Sequence, residues 1–123
     1  MTDTAHHPRS VTAVAADLLF SSRIRAAADQ LGVQVHFARS DEQLFASAAH
    51  TDLVILDLDA RWLDAPAAIR QIAQATPRVP IVAFVAHVRA DAIQTARDAG
   101  ADRVLARSAF VRMLPDILAG RSL

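Results

Sequence analysis

The sequence has 123 residues, the usual size of one domain, and 53% of them are apolar, which is enough material for one hydrophobic core. Thirteen basic residues balance thirteen acidic ones, so no net charge favours nucleic acid, an anionic membrane or an acidic substrate. The chain has no cysteine, which excludes disulfides, thiolate metal sites and thiol nucleophiles, and it has no lysine, so its strong cations are all arginines.

The N-terminal residues and the distribution of apolar residues predict where the protein resides. No segment approaches the roughly 20 apolar residues that span a bilayer, and residues 1–10 contain no secretory apolar stretch. We expect residues 1–10 to form a disordered tail, in which His6 and His7 are not metal ligands. The sequence thus predicts a cytoplasmic protein with one domain over residues 11–120 and no membrane or nucleic-acid partner.

The spacing of apolar residues alternates between two patterns along the chain. Short apolar runs and period-two alternation predict strands, whereas apolar residues every three or four positions predict helices. Capping residues and glycines mark several helix ends. In chain order the predicted elements are a strand over 11–16, a helix over about 20–31, a strand over 33–37, a helix over about 40–49, a strand over 52–57, a helix that begins at 64 and ends before 76, a strand over 80–85, a helix over about 89–99, a strand over 103–106 and a helix that contains 110–118 and ends at 120.

Pro115 falls inside the last predicted helix. A proline in a helix interior costs about 3 kcal/mol, because it lacks the N–H group and its ring clashes with the preceding turn. The sequence therefore leaves two possibilities open, a kinked helix or a helix preceded by a separate short turn.

Five strands that alternate with five helices predict an α/β fold of the (βα)5 type. Right-handed crossovers favour a single parallel sheet in the flavodoxin-like order 2-1-3-4-5, with helices on both faces. Ligands of such sheets bind at the carboxyl ends of the strands, near the point where the strand order reverses. We expect Ala15, Ala16 and Asp17 to lie there together with Asp57.

Four parts of the chain resemble the bacterial response-regulator receiver family, and the resemblance covers nearly the whole sequence. They are residues 52–57, Asp64, residues 80–86 and residues 99–107. The resemblance implies that Asp57 is the phosphoacceptor position, Val85 the position of the switch hydroxyl and Arg107 the position of the family's lysine. It also places the family's acidic pair at Ala15 and Ala16.

The residues at the acidic-pair positions depart from what the family's chemistry needs. Phosphoryl transfer uses a metal ion, and magnesium prefers carboxylates and water as ligands. Ala15 and Ala16 offer no side-chain oxygen, so Asp57 and the backbone carbonyl at Asp59 would form a poor cage. If the register of the first strand shifted, Asp17 would join Asp57 and Asp59 as a further metal ligand. We expect magnesium to bind weakly or not at all.

Three further positions differ from the family pattern. Val85 has no hydroxyl to bind a phosphate, and Arg107 carries a planar guanidinium instead of a compact ammonium group. Ser108 stands where the family usually has a proline after a cis bond, and a cis bond before a residue other than proline costs about 3 kcal/mol. We therefore expect a trans bond before Ser108. We also expect that a bound phosphate would not draw the loop after the fourth strand inward, because Val85 has no hydroxyl to contact it.

Several residues allow more than one interpretation. Asp57 is either a phosphoacceptor or a residual strand-end carboxylate satisfied by Arg107 and loop amides. Trp62 covers the site as a lid, anchors a partner protein or packs over the sheet edge. His87 is a proton shuttle or, as lone loop histidines more often are, a solvated side chain.

These observations predict a stand-alone atypical receiver, not an enzyme, that acts as a protein-interaction module in signal transduction after losing the conventional phosphorylation switch. Its partners would be signalling proteins such as a histidine kinase or an output protein, and the face formed by helix 4, strand 5 and helix 5 would serve a homodimer. The alternative is a functional phosphoacceptor that takes phosphate on Asp57 and uses magnesium, the only cofactor considered. A third possibility is a flavodoxin-like small-molecule binder, although the sequence has no phosphate-cradling loop.

Overall fold

The computed structural model describes residues 9–86 and 89–121. Expectations for His6, His7 and His87 lie outside the described residues. The predicted alternation of strands and helices is confirmed. The elements are β1 (Ser10–Val14), α1 (Leu18–Leu31), β2 (Gln34–Phe37), α2 (Asp41–Ala48), β3 (Leu53–Asp57), α3 (Ala65–Ala73), β4 (Ile81–Val85), α4 (Ala90–Ala99), β5 (Arg103–Ala106) and α5 (Arg107–Leu118).

The strands form one parallel sheet in the order β2-β1-β3-β4-β5, as predicted. In the register of this sheet, Asp57 lies beside Phe84, and Val85 lies beside Ala106. Parallel strands all end at the same edge of a sheet, so the carboxyl ends of β1, β3, β4 and β5 meet there. This edge brings together the loops that carry the predicted site residues.

Two hydrophobic cores cover the sheet, one on each face. Strand side chains alternate between faces, so both faces of a parallel sheet need apolar cover. The core under α2, α3 and α4 includes Leu44, Val54, Leu56, Ala68, Ile69, Ile72 and Ile81. The core under α1 and α5 includes Phe20, Ile24, Ile55, Val82, Phe84, Phe110 and Leu114. Helices therefore lie on both faces, as the sequence predicts.

The first strand begins and ends earlier than expected. Its start at Ser10 is stabilised by Asp52, whose carboxylate accepts the backbone N–H groups of Arg9 at 2.9 Å and Ser10 at 3.2 Å. Ser10 thus belongs to the sheet and not to the predicted tail over 1–10. At the other end, Ala15 and Ala16 lie in the loop that leads to α1.

The final helix starts at Arg107, directly after β5, and runs without interruption through Pro115. The alternative of a separate short turn before the helix is therefore wrong. Pro115 lies in the last turn, where its missing N–H group removes one hydrogen bond near the end of the helix. The peptide bond before Ser108 is trans, as expected, and the cis bond in the described part of the chain is Thr76–Pro77. Over these same residues, no helix combines the length and the apolar character that a bilayer crossing requires.

Candidate functional site

Asp57 ends β3 as a buried carboxylate held by backbone amides. Only 3% of the residue is exposed. One carboxylate oxygen, Oδ2, accepts the N–H group of Ala16 at 2.8 Å, and Oδ1 accepts the N–H group of Asp59 at 2.9 Å. The β1–α1 and β3–α3 loops thus both point a backbone donor at the same carboxylate, which lies where the resemblance places the phosphoacceptor.

Burial raises the pKa of the Asp57 carboxyl group above its ordinary value. The two amide hydrogen bonds favour the charged form and lower the pKa, while the negative charge of Asp59 raises it further. The positive charge of Arg107 has the smallest effect among these causes. Desolvation therefore dominates the electrostatics of this carboxylate, and the arginine at the family's lysine position stabilises its anion only weakly.

Arg107 forms its ion pair with Asp17 and not with Asp57. Its Nη2 atom donates to Asp17 Oδ2 at 2.5 Å, and the guanidinium lies 4.1 Å from the centre of the Phe20 ring. The other oxygen of Asp17 accepts the N–H group of Phe20 at 2.8 Å and caps α1. The hydrogen bond from Arg107 is the main reason that the pKa of Asp17 lies below its ordinary value. Of the two kinds of group expected to satisfy a residual Asp57 carboxylate, the loop amides do bind it, whereas the expected ion pair with Arg107 is wrong, because α5 starts beside the N-terminus of α1 and Arg107 pairs with Asp17 there.

The residues considered for a metal do not form a magnesium cage. Within the part of the chain that the structure describes, no three carboxylate or histidine side chains are grouped closely enough to hold a metal ion. Both carboxylate oxygens of Asp17 already accept hydrogen bonds, one from the N-terminus of α1 and the other from Arg107. Ala15 and Ala16 provide no side-chain oxygen. Weak or absent magnesium binding stays a prediction.

Asp59 makes a bridge that the sequence reasoning missed. Its Oδ2 atom accepts the N–H group of Ala86 at 2.7 Å, and its Oδ1 atom accepts a hydrogen bond from Arg89 at 3.2 Å. The β3–α3 loop is thereby attached to the residues that follow β4. The only signal in the sequence was a second aspartate two positions after Asp57, which predicted a backbone ligand and not a side-chain bridge.

Val85 lies at the end of β4 and is fully buried. Its position beside Ala106 of β5 places an apolar side chain where the resemblance implies a hydroxyl. The next residue, Ala86, has its N–H group bonded to Asp59. The end of β4 is therefore held in place by contacts that need no bound phosphate.

Trp62 lies in the loop between β3 and α3 with 39% of the residue exposed. It borders an open groove of about 1270 Å³ beside the ends of β1, β2 and β3. The lining includes Asp17, which precedes α1, together with Leu18 and Arg25 of α1. It also includes Asp59 of the β3–α3 loop. Its roles as a lid, a partner anchor or a packing residue stay predictions.

Comparisons with known proteins agree with this fold. The chain matches the family described as response regulator receiver domain over residues 11–118. No curated protein matches it. Similar solved structures include a CheY-like response regulator receiver domain protein from Methanospirillum hungatei JF-1, at 13% identity and a TM-score of 0.77, covering 89% of this chain and 90% of that one. They also include the chemotaxis response regulator CheY4 of Vibrio cholerae, at 17% identity and a TM-score of 0.74, covering 89% and 94%. A third is the phosphorylated cyanobacterial phytochrome response regulator RcpA, at 20% identity and a TM-score of 0.72, covering 93% and 90%. The chain belongs to the response regulator receiver domain family.

Proposed function

We propose that this receiver domain works as a protein-interaction module in signal transduction and that it has lost the conventional phosphorylation switch. Receiver domains are in general non-enzymatic signalling modules that interact with kinases and output proteins. The observation that carries the proposal is the ion pair between Arg107 and Asp17, since it engages the cation that would otherwise serve the Asp57 carboxylate.

Two features of the site support the same conclusion. A phosphoryl group on Asp57 would sit close to the negative charge of Asp59, which already raises the pKa of Asp57. Without a carboxylate at Ala15 or Ala16, no metal cage offsets that charge. Val85 offers no hydroxyl, and Asp59 already holds the amide of Ala86. A bound phosphate would thus gain little contact that distinguishes one conformation from another.

The alternative function is a working phosphoacceptor, and one observation favours it. Asp57 keeps its place at the end of β3, with its carboxylate fixed by two backbone amides. RcpA, which has the same fold, is phosphorylated in its solved structure. Under this alternative a histidine kinase would supply the phosphate, and magnesium would bind at Asp57.

We infer that the partners are proteins of a signalling pathway, among them a histidine kinase or an output protein. The face formed by α4, β5 and α5 is the surface for a homodimer. On this face Asp98 accepts a hydrogen bond from Gln94 at 2.8 Å, while Asp102 pairs with Arg78 at 2.9 Å. Asp98 is exposed and is therefore accessible to a second copy, whereas the carboxylate of Asp102 is also held by the backbone N–H group of Ile81 at 2.8 Å.

The test compares amide spectra of the protein with and without beryllium fluoride and magnesium, which together mimic a phosphoryl group. We expect no saturable shifts spreading from Asp57 to the face formed by α4, β5 and α5. The matched control is a variant with the family residues restored, Ala15→Asp, Ala16→Asp, Val85→Thr and Arg107→Lys, which should respond. Large saturable shifts in the wild-type protein would establish the phosphoacceptor alternative instead.

A further inference from the structure

Among the described residues, the groove beside Trp62 carries positive charges that are not paired with negative ones. The equal numbers of acidic and basic residues in the whole chain do not predict such a surface. Three arginines border it, Arg25 from α1, Arg39 from the β2–α2 loop and Arg61 from the β3–α3 loop. All three are exposed, and within residues 9–86 and 89–121 none of them forms an ion pair. We call this surface the arginine groove.

The acidic residues that border the arginine groove are already neutralised by other groups. Asp17 is paired with Arg107, and Asp59 is paired with Arg89 and with a backbone amide. Neither Arg107 nor Arg89 is part of the groove lining. The groove therefore presents three uncompensated cations, although the whole chain has a formal net charge of zero.

Exposed apolar side chains line the same groove as these arginines. Leu18 is 80% exposed at the start of α1, and Trp62, which also lines the groove, is 39% exposed. Phe37 at the end of β2 lies under the Arg25 guanidinium, 5.0 Å from it to the ring centre. Tryptophan and arginine are the residues most enriched at the centres of protein interfaces. An exposed leucine and an exposed tryptophan in the lining of a cationic groove would bury apolar area if a partner chain entered it.

We propose that the arginine groove docks an acidic segment of a partner protein, one that also carries at least one apolar side chain. This inference rests on the proposed function, since it names the kind of partner that a phosphorylation-independent interaction module would bind. Acidic side chains pair with Arg25, Arg39 and Arg61, and the apolar side chain packs on the exposed apolar surface of Leu18 and Trp62.

The observations favour a protein segment over two other anionic partners. The groove is open and, at about 1270 Å³, exceeds the roughly 300–1,000 Å³ of common small-molecule pockets. Nucleic-acid binding draws on many phosphate contacts, for which three arginines on a chain without net charge supply little. A short peptide segment needs only a few charge pairs and one apolar anchor.

The test selects binders for the full chain from a displayed library of random peptides about twelve residues long. We expect the selected peptides to be rich in aspartate and glutamate and to contain a leucine or an aromatic residue. The variant Arg25→Gln/Arg39→Gln/Arg61→Gln should bind them about tenfold more weakly or worse. The control variant Arg70→Gln/Arg97→Gln/Arg112→Gln loses the same charge at exposed positions outside the groove, and its affinity should stay within about twofold.

Three results would overturn the docking proposal. One is a selection without acidic enrichment, and another is an equal loss of affinity in both triple variants. The third is a groove that binds oligothymidylate or ATP, with the same sensitivity to the three arginines, while no acidic peptide is enriched.

Repeating the binding measurement with beryllium fluoride and magnesium separates this inference from the proposed function. Unchanged peptide affinity supports both. Peptide binding that appears only with the mimic supports the arginine groove and refutes the loss of the phosphorylation switch. A groove that selects no acidic peptide under either condition refutes the docking proposal, while the amide spectra decide the proposed function independently.

Discussion

Arg107 and Asp17 are 90 positions apart in the sequence, yet the guanidinium donates to the carboxylate at 2.5 Å. The pair joins the start of α5 to the start of α1, and the position of the Arg107 guanidinium over the Phe20 ring adds a cation–π contact to it. The same carboxylate caps α1 through its other oxygen. Asp17 thus has two separable roles, one electrostatic and one in helix capping.

Two substitutions at Asp17 separate these roles. Asparagine caps helices about as well as aspartate, so Asp17→Asn should remove only the ion pair, and the free energy of unfolding should fall by about 0–1 kcal/mol. Asp17→Ala removes the cap as well and should lower it by about 1–2 kcal/mol. Urea unfolding at neutral pH measures both values. Equal losses in the two variants would contradict a capping role.

The shifted pKa values of Asp57 and Asp17 predict opposite pH dependences. Because the folded state raises the pKa of Asp57, the native protein holds that proton more tightly than the unfolded chain does. This contribution to stability is present below the unfolded pKa of about 3.9 and is lost as the pH rises through the folded value. The lowered pKa of Asp17 contributes stability above about pH 3.9, which is lost as the pH falls through its folded value.

Carboxyl-carbon resonances followed through a pH titration should place the Asp57 midpoint above, and the Asp17 midpoint below, that of an unstructured aspartate. Asp57→Asn is the control for stability. The free energy of unfolding of the wild-type protein, relative to this variant, should decline as the pH rises above about 4 and should level off once the pH has passed the raised pKa of Asp57. A difference that is independent of pH would show that burial does not raise the Asp57 pKa.

The Asp59 bridge predicts a local effect of Asp59→Ala. Its carboxylate holds the N–H group of Ala86, so removing it should speed hydrogen exchange at the Ala86 amide by about tenfold or more. The Asp57 carboxylate keeps the backbone N–H group of residue 59, because that bond does not involve the substituted side chain. Arg89→Gln is the matched control, since it removes only the longer of the two contacts of Asp59. Ala86 exchange that is unchanged in Asp59→Ala would exclude the bridge.

Two glycines that end helices should respond differently to substitution by alanine. Gly32 follows α1 with φ of 70°, and an added Cβ would meet no atom within 4 Å, so Gly32→Ala should cost about 1–2 kcal/mol from backbone strain alone. Gly100 follows α4 with φ of 122°, and an added Cβ would lie 2.8 Å from the Cβ of Ala73 in α3.

Gly100→Ala should therefore cost more than Gly32→Ala, by about 1–3 kcal/mol for the added overlap. Thermal unfolding of both variants checks the order. If the two proteins unfold at the same temperature, α3 and α4 do not approach each other as closely at Gly100 as the distance indicates.

The order of elements and the topology of the sheet could be predicted from local patterns in the sequence. Apolar spacing, capping residues such as Ser40 and Asp64, and glycines at helix ends all act within one turn or one strand, so they are visible without tertiary structure. Right-handed crossovers then restrict the sheet to few arrangements. The position of Asp57 at a strand end followed from the same local patterns.

The contacts within the site depend on residues far apart in the chain, and only the tertiary structure decided them. The sequence identified Arg107 as a cation beside the site, but it pairs with Asp17 because α5 packs against α1. In the same way, the end of β4 brings the N–H group of Ala86 within hydrogen-bond distance of the Asp59 carboxylate. The unpaired positive charge of the arginine groove arises in the same way, because one helix and two loops bring Arg25, Arg39 and Arg61 together while the neighbouring Asp17 and Asp59 pair with other arginines. Long side chains reach several neighbours at similar distances, so the packing of whole elements determines which ion pair forms.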